Sequence, residues 1–168
     1  MKYCVDLPYP PVTIASVNNE YGQMILDNVG GMTSEMSAVS SYVYNHVISG
    51  DNFKDLKEAF LKIGIVEMHH LDIFCDLSLK LGMDPRLWTC TNEYNEYWSP
   101  AYNNYPNQLQ ELLENAIINE EKAIEKYTFQ ASVIKDPNIV NILNRIIMDE
   151  KLHVEILEGF YNKLVRNI

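Results

Sequence analysis

The 168-residue sequence contains the pattern Glu-x2-His twice, as Glu67-Met68-His69-His70 and as Glu150-Lys151-Leu152-His153. Each copy continues with an aliphatic residue, an acid and Ile: Leu71-Asp72-Ile73 in the first, Val154-Glu155-Ile156 in the second. A second pattern also occurs twice, Glu35-x2-Ala38-x3-Tyr42 and Glu120-x2-Ala123-x3-Tyr127. The order is the same in both halves, a single Glu and then Glu-x2-His. The intervals also agree, 32 residues from Glu35 to Glu67 and 30 from Glu120 to Glu150. Residues three apart on a helix are neighbours on one face, so Glu67 with His70, or Glu150 with His153, can hold one metal or bridge to a second. A lone Glu-x2-His is common on surface helices, and Ala38, Tyr42, Ala123 and Tyr127 alone would be ordinary helix packing. The in-phase repeat is what points to a metal site.

The electrostatics lead the same way. The four glutamates fall on apolar helix faces beside Ile63, Leu71, Phe74, Ile146 and Leu157, with no Lys or Arg read on those faces. Unpaired buried carboxylates cost several kcal/mol each and repel one another. Two divalent cations would balance Glu35, Glu67, Glu120 and Glu150, and the imidazoles of His70 and His153 would complete the set. This is the ligand inventory of the di-iron and di-manganese carboxylate bundles, and a mixed O/N donor set suits iron or manganese.

Other titratable residues fit less well. His69 lies about 100° round the helix from His70 and would face solvent or another subunit. His46 is about three turns from Glu35, too far to share an ion. Glu121 and Glu125 fall off the stripe and should be solvated. Asp149 either reaches across to accept the second ring proton of His70, as carboxylates behind metal-bound imidazoles do, or is a surface acid.

Four helices must carry these residues. The first long helix is expected from about Thr33 to Ser49, ahead of the turn signal Gly50-Asp51-Asn52. The second spans Phe53 to Leu81, with Phe60, Ile63, Glu67, His70, Leu71, Phe74 and Leu77 on one face and Gly82 as its C-terminal cap. The third should run from about Asn107 to Ile134. Asp136-Pro137, a cap followed by proline in the first turn, opens a fourth that ends near Val165. Ahead of these, a proline-bearing arm over residues 1–17 precedes a short helix capped by Asn18 or Asn19 and broken at Gly30-Gly31. Residues 84–106, rich in Trp, Tyr, Asn and Pro, read as a long aromatic crossover loop, packed on the bundle or used in oligomer contact. The fold class is therefore all-α: a ferritin-like four-helix bundle of two helical hairpins joined by a long crossover, plus a short N-terminal helix, in one domain over 1–168.

Composition narrows the partners. Thirteen basic and twenty-three acidic side chains give a formal charge of −10, opposite to a nucleic-acid footprint. Most of this acidity reads as a solvated surface. No apolar run reaches the roughly 20 residues of a membrane span, and the first residues carry no secretory signal, so a cytoplasmic location is expected. Cys4, Cys75 and Cys90 include no Cys-x2-Cys pair and read as reduced thiols.

At these motifs the sequence resembles the rubrerythrin and manganese-catalase branch of the ferritin-like superfamily, from about Asn18 to Phe160. The stretches from Glu35 to Tyr42, Gly64 to Asp72 and Glu120 to Tyr127, with Asp136-Pro137 leading to Glu150 and His153, are most similar to spore-coat-type manganese catalases. The resemblance implies that Glu35, Glu67, His70, Glu120, Glu150 and His153 bind two divalent ions, Fe or Mn, and that Tyr42 and Tyr127 hydrogen-bond ligand carboxylates. It also implies hydrogen peroxide or dioxygen as substrate, a homo-oligomer (dimer or larger), and a possible spore association. The sequence departs from the family where Ala123 stands in place of an extra carboxylate, and it ends at Ile168 without the C-terminal rubredoxin domain of a full rubrerythrin. The leading expectation is peroxide removal, with Glu150 moving the proton. Disproportionation needs no donor, whereas peroxide reduction needs an external one such as rubredoxin. The alternatives are iron or manganese storage without turnover, and a structural coat protein whose metal stabilises the fold.

Overall fold

The computed structural model describes residues 2–90 and 94–166. Five helices dominate it: α1 (Asn19–Gly30), α2 (Glu35–Ile48), α3 (Lys54–Lys80), α4 (Leu109–Val133) and α5 (Pro137–Arg166). The hairpins α2–α3 and α4–α5 form the four-helix bundle, and α1 packs on α3. Among the described residues no helix is long and apolar enough to cross a membrane.

Helix boundaries follow the local chemistry. Asn18 caps α1, its side-chain oxygen accepting from the Tyr21 N–H at 3.0 Å. Ser34 caps α2, so that helix begins at Glu35 rather than at Thr33 and places the carboxylate in the first turn, where the helix dipole favours negative charge. At the end of α3, Gly82 takes φ +93, with Gly82 N–H on the Leu79 carbonyl (3.0 Å) and Met83 N–H on that of Ser78 (2.9 Å). This is a Schellman cap at the expected glycine. Asp136 opens α5 through the Asn138 N–H at 2.9 Å, and its other oxygen accepts from the Ala15 N–H at 2.6 Å.

The crossover is less irregular than its composition implies. Trp88–Cys90 (β1) and Asn95–Tyr97 (β2) pair antiparallel, with Trp88 opposite Tyr97 and Cys90 opposite Asn95. A single 3-10 turn follows at Pro100–Tyr102. β1 crosses α1 at Gly30, where an added Cβ would fall 2.3 Å from the Trp88 backbone nitrogen. Because backbone cannot step aside as a side-chain tip can, Gly30→Ala is expected to cost about 1–3 kcal/mol in urea denaturation. A loss within experimental error would mean that β1 is free to lift from α1.

The core divides into two apolar clusters. One gathers Ile25, Leu26, Phe74, Leu77, Ile139, Leu143 and Ile146; the other gathers Phe60, Ile63, Leu112, Leu113 and Leu157. Along α3 and α5 the switch from one cluster to the other falls at Glu67–His70 and Glu150–His153. A buried polar layer thus sits between two dry ones.

Candidate metal centre

All six side chains singled out in the repeat converge in that layer. Glu35, Glu67, Glu120 and Glu150 are buried, and His70 and His153 have no exposed surface. Two groups of four donors form, each with one atom per residue lying within 4.8 Å of the others: Glu35, Glu67, His70 and Glu150, and Glu67, Glu120, Glu150 and His153. Glu67 and Glu150 belong to both groups. The Nδ1 atom of His70 lies 3.1 Å from Glu150 and 3.3 Å from Glu67, and Nδ1 of His153 lies 2.8 Å from Glu67 and 3.1 Å from Glu150. Both rings therefore turn Nδ1 inward.

The donor set fits divalent cations. The Oε1 atoms of Glu67 and Glu150 make no well-aligned hydrogen bond and stand against Nδ1 of His153 and of His70, so two imidazoles face four buried carboxylates, an arrangement that costs free energy unless cations lie among them. Carboxylate and imidazole donors without thiolate match the preferences of iron and manganese.

Hydrogen bonds position the flanking carboxylates. Tyr127 Oη donates to Glu35 at 2.5 Å, and Tyr42 Oη donates to Glu120. Burial first, and the adjacent carboxylates second, raise both phenols well above the ordinary tyrosine range, so they remain donors. Each tyrosine reaches across to the other hairpin's glutamate. Asp149 Oδ2 lies 3.2 Å from Nε2 of His70, and the acid is fully buried.

Two cations and a strap of chain went unread in the sequence. Arg145 is buried and pairs with Asp149 at 2.7 Å, which corrects the expectation that no Lys or Arg lies on these faces. Arginine one helical turn before the acid, on the stripe of Ile142 and Ile146, was the available signal. Lys126, largely buried, donates to Asp27 Oδ2 (2.6 Å) and to the carbonyls of Asp27 and Thr33, tying α4 to the start of α2. The N-terminal arm is irregular as expected, but it lies along the site: Val5 N–H and Tyr9 O–H donate to Asp149 at 2.7 and 2.6 Å.

The remaining candidates stay outside. His69 is exposed and stands edge-on to Tyr9, with ring centroids 4.6 Å apart. His46 bonds the Lys57 carbonyl at 2.8 Å. Glu121 and Glu125 are exposed. A cavity of about 110 Å³ opens between α2 and α4 onto Glu35, Glu67, Glu120 and Glu150. Ala123 lines it, as do Ser41, Asn45, Asn115 and Asn119, so its approach is polar, with Lys122 the charged side chain there besides the glutamates.

Proton affinities in the metal-free site carry a testable pH dependence. Burial, then Glu150 and Glu67, raises Glu35 well above the carboxylate range, and burial with Glu150 pushes Glu120 up to about 7. Burial opposes charge on His70 and His153, but the surrounding carboxylates outweigh it and raise both above 6.5. Groups raised on folding hold protons that the unfolded chain has released. The stability they contribute is present at low pH and is lost as pH rises through their folded values. Glu67 and Glu150 are lowered, because their imidazole neighbours outweigh burial and like charge, and they act only on the acid side, as pH falls below the carboxylate range. The melting temperature of metal-free protein is therefore expected to fall from about pH 6 to pH 9, and Mn²⁺ should reverse the loss by replacing the protons. A melting temperature that rises across this window without metal contradicts the assignment.

Comparison with known proteins agrees with this architecture. Residues 30–161 match the rubrerythrin family model. No curated protein matches by sequence. Among solved structures, wild-type KatB, a manganese catalase from Anabaena, is 21% identical over 98% of this chain and 81% of its own, with TM-score 0.84. KatB from Anabaena PCC7120 is 20% identical over the same shares, with TM-score 0.85. A dodecameric thioferritin, the bacterioferritin-related protein of Bacteroides fragilis, is 19% identical over 90% of this chain and 89% of its own, with TM-score 0.70. With the fold, the repeat and the family model in agreement, the chain belongs to the rubrerythrin family of the ferritin-like superfamily.

Proposed function

We propose that the protein is a dinuclear carboxylate oxidoreductase that removes hydrogen peroxide, with Glu35, Glu67, His70, Glu120, Glu150 and His153 holding two divalent ions of iron or manganese. The observation that carries this reading is the pair of four-donor groups sharing Glu67 and Glu150, buried between two apolar clusters. Two redox-active ions, when bound, supply the electrons that break an O–O bond.

The chain's own residues do the rest. Glu67 and Glu150 keep the two positions adjacent. Tyr42 and Tyr127 hold Glu120 and Glu35 in place. Glu150, which lines the cavity, is the group assigned to moving a proton to and from the substrate oxygen. Apart from the glutamates and Lys122, the walls are neutral and mostly polar, which suits a small molecule that hydrogen-bonds, and the cavity has room for one beside several waters. Disproportionation of two peroxides to two waters and dioxygen is balanced without an outside donor. The likeness to a manganese catalase supports this reaction. Storage of iron or manganese is the second reading, favoured by the likeness to a dodecameric thioferritin. A homo-oligomer is proposed in either case.

Metal analysis of the purified protein with oxygen evolution measured on added peroxide tests the proposal. Close to two Fe or Mn per chain with sustained oxygen release is expected. Two ions with no peroxide consumption, with or without a reductant, would leave storage as the function.

A further inference from the structure

The two four-donor groups are chemically matched. Each has three carboxylates and one imidazole, and each has one carboxylate held by a tyrosine from the opposite hairpin. They differ behind the imidazole. Nε2 of His153 faces a main-chain carbonyl, that of Tyr3, at 2.9 Å. Nε2 of His70 faces a carboxylate, that of Asp149, at 3.2 Å.

A carboxylate behind an imidazole N–H makes the opposite nitrogen a stronger donor and fixes the ring. A neutral carbonyl is the weaker acceptor. The placement of Asp149 in turn depends on the N-terminal arm. Its two oxygens accept from the Val5 N–H and the Tyr9 O–H, and Tyr9 Oη also stands 3.3 Å from Nε2 of His70. Arg145 locks the assembly. It pairs with Asp149, donates to the carbonyls of Val5 (2.9 Å) and Leu7 (2.9 and 3.1 Å), and lies 4.2 Å above the Tyr9 ring. These arm residues precede the family-matched segment, which begins at residue 30.

We propose that the two metal positions are unequal: the position on His70 is the tighter and fills first, and Tyr9 of the arm is a positioning residue that keeps Asp149 behind that histidine. This rests on the reading that the six side chains hold two ions.

Titration of metal-free protein with Mn²⁺, followed by calorimetry and by electron paramagnetic resonance, tests it. The wild type should take two ions in steps separated by at least about tenfold in affinity. His153→Ala should keep the tight step, and His70→Ala should lose it. Asp149→Asn should weaken the tight step by about 10–100-fold and leave the other in place. Tyr9→Phe keeps the ring over Arg145 and beside His69, and should weaken the same step several-fold with unchanged circular dichroism. Should Asp149→Asn fail to fold, Tyr9→Phe decides alone, and an unaltered tight step overturns the proposal. Two equal steps in the wild type, a tight step surviving His70→Ala, or parallel weakening of both steps by Asp149→Asn would also overturn it. Binding of no Mn²⁺, or of one ion at most, would instead refute the six-ligand reading itself.

Discussion

Glu67→Ala and Glu150→Ala are each expected to release both ions, whereas Glu35→Ala and Glu120→Ala should each weaken one. The difference follows from membership: Glu67 and Glu150 contribute to both four-donor groups, Glu35 and Glu120 to one apiece. Losing a shared carboxylate removes a donor from each position and leaves only one of the two carboxylates that belong to both. The loss should exceed the roughly 10–100-fold that follows removal of an outer hydrogen-bond partner. Metal content after gel filtration against a trace of chelator reads it directly. Equal losses from all four alanine variants would mean that the glutamates do not divide into bridging and terminal roles.

Arg145→Met is expected to destabilise the metal-free protein by about 3–5 kcal/mol, because it leaves the Asp149 carboxylate buried without its cation. The same substitution releases the carbonyls of Val5 and Leu7, so residues 3–9 should become sensitive to protease. Replacing the acid as well, in Arg145→Met with Asp149→Leu, should recover part of the stability by removing the stranded charge. Chemical denaturation measures both variants. A loss below about 1 kcal/mol would put this ion pair with solvent-exposed ones, whose contribution is small.

What the sequence disclosed and what it withheld divide by locality. The Glu-x2-His pairs were readable because two ligands three residues apart must share a helix face, and the single-Glu repeats aligned with them in phase. Gly82 and Asp136-Pro137 were readable as caps because capping is chemistry of adjacent residues. Arg145 is not legible although it shares the stripe of Ile142, Ile146 and Asp149, because an arginine on an apolar face has no partner in a one-dimensional pattern. The arm was harder still. Tyr3, Val5 and Tyr9 act through irregular backbone and contacts more than 60 residues away in sequence, and no periodicity encodes such contacts. In the crossover, the Asn- and Pro-rich composition hid the pairing of Trp88–Cys90 with Asn95–Tyr97, because three-residue strands carry too few residues to show alternation.

Soaking crystals in Mn²⁺ and recording anomalous scattering reads the centre most directly. Two peaks are expected in the polar layer, one among Glu35, Glu67, His70 and Glu150 and the other among Glu67, Glu120, Glu150 and His153. A map with no peak there, or with one ion and the remaining carboxylates hydrogen-bonded to one another, would contradict the dinuclear centre.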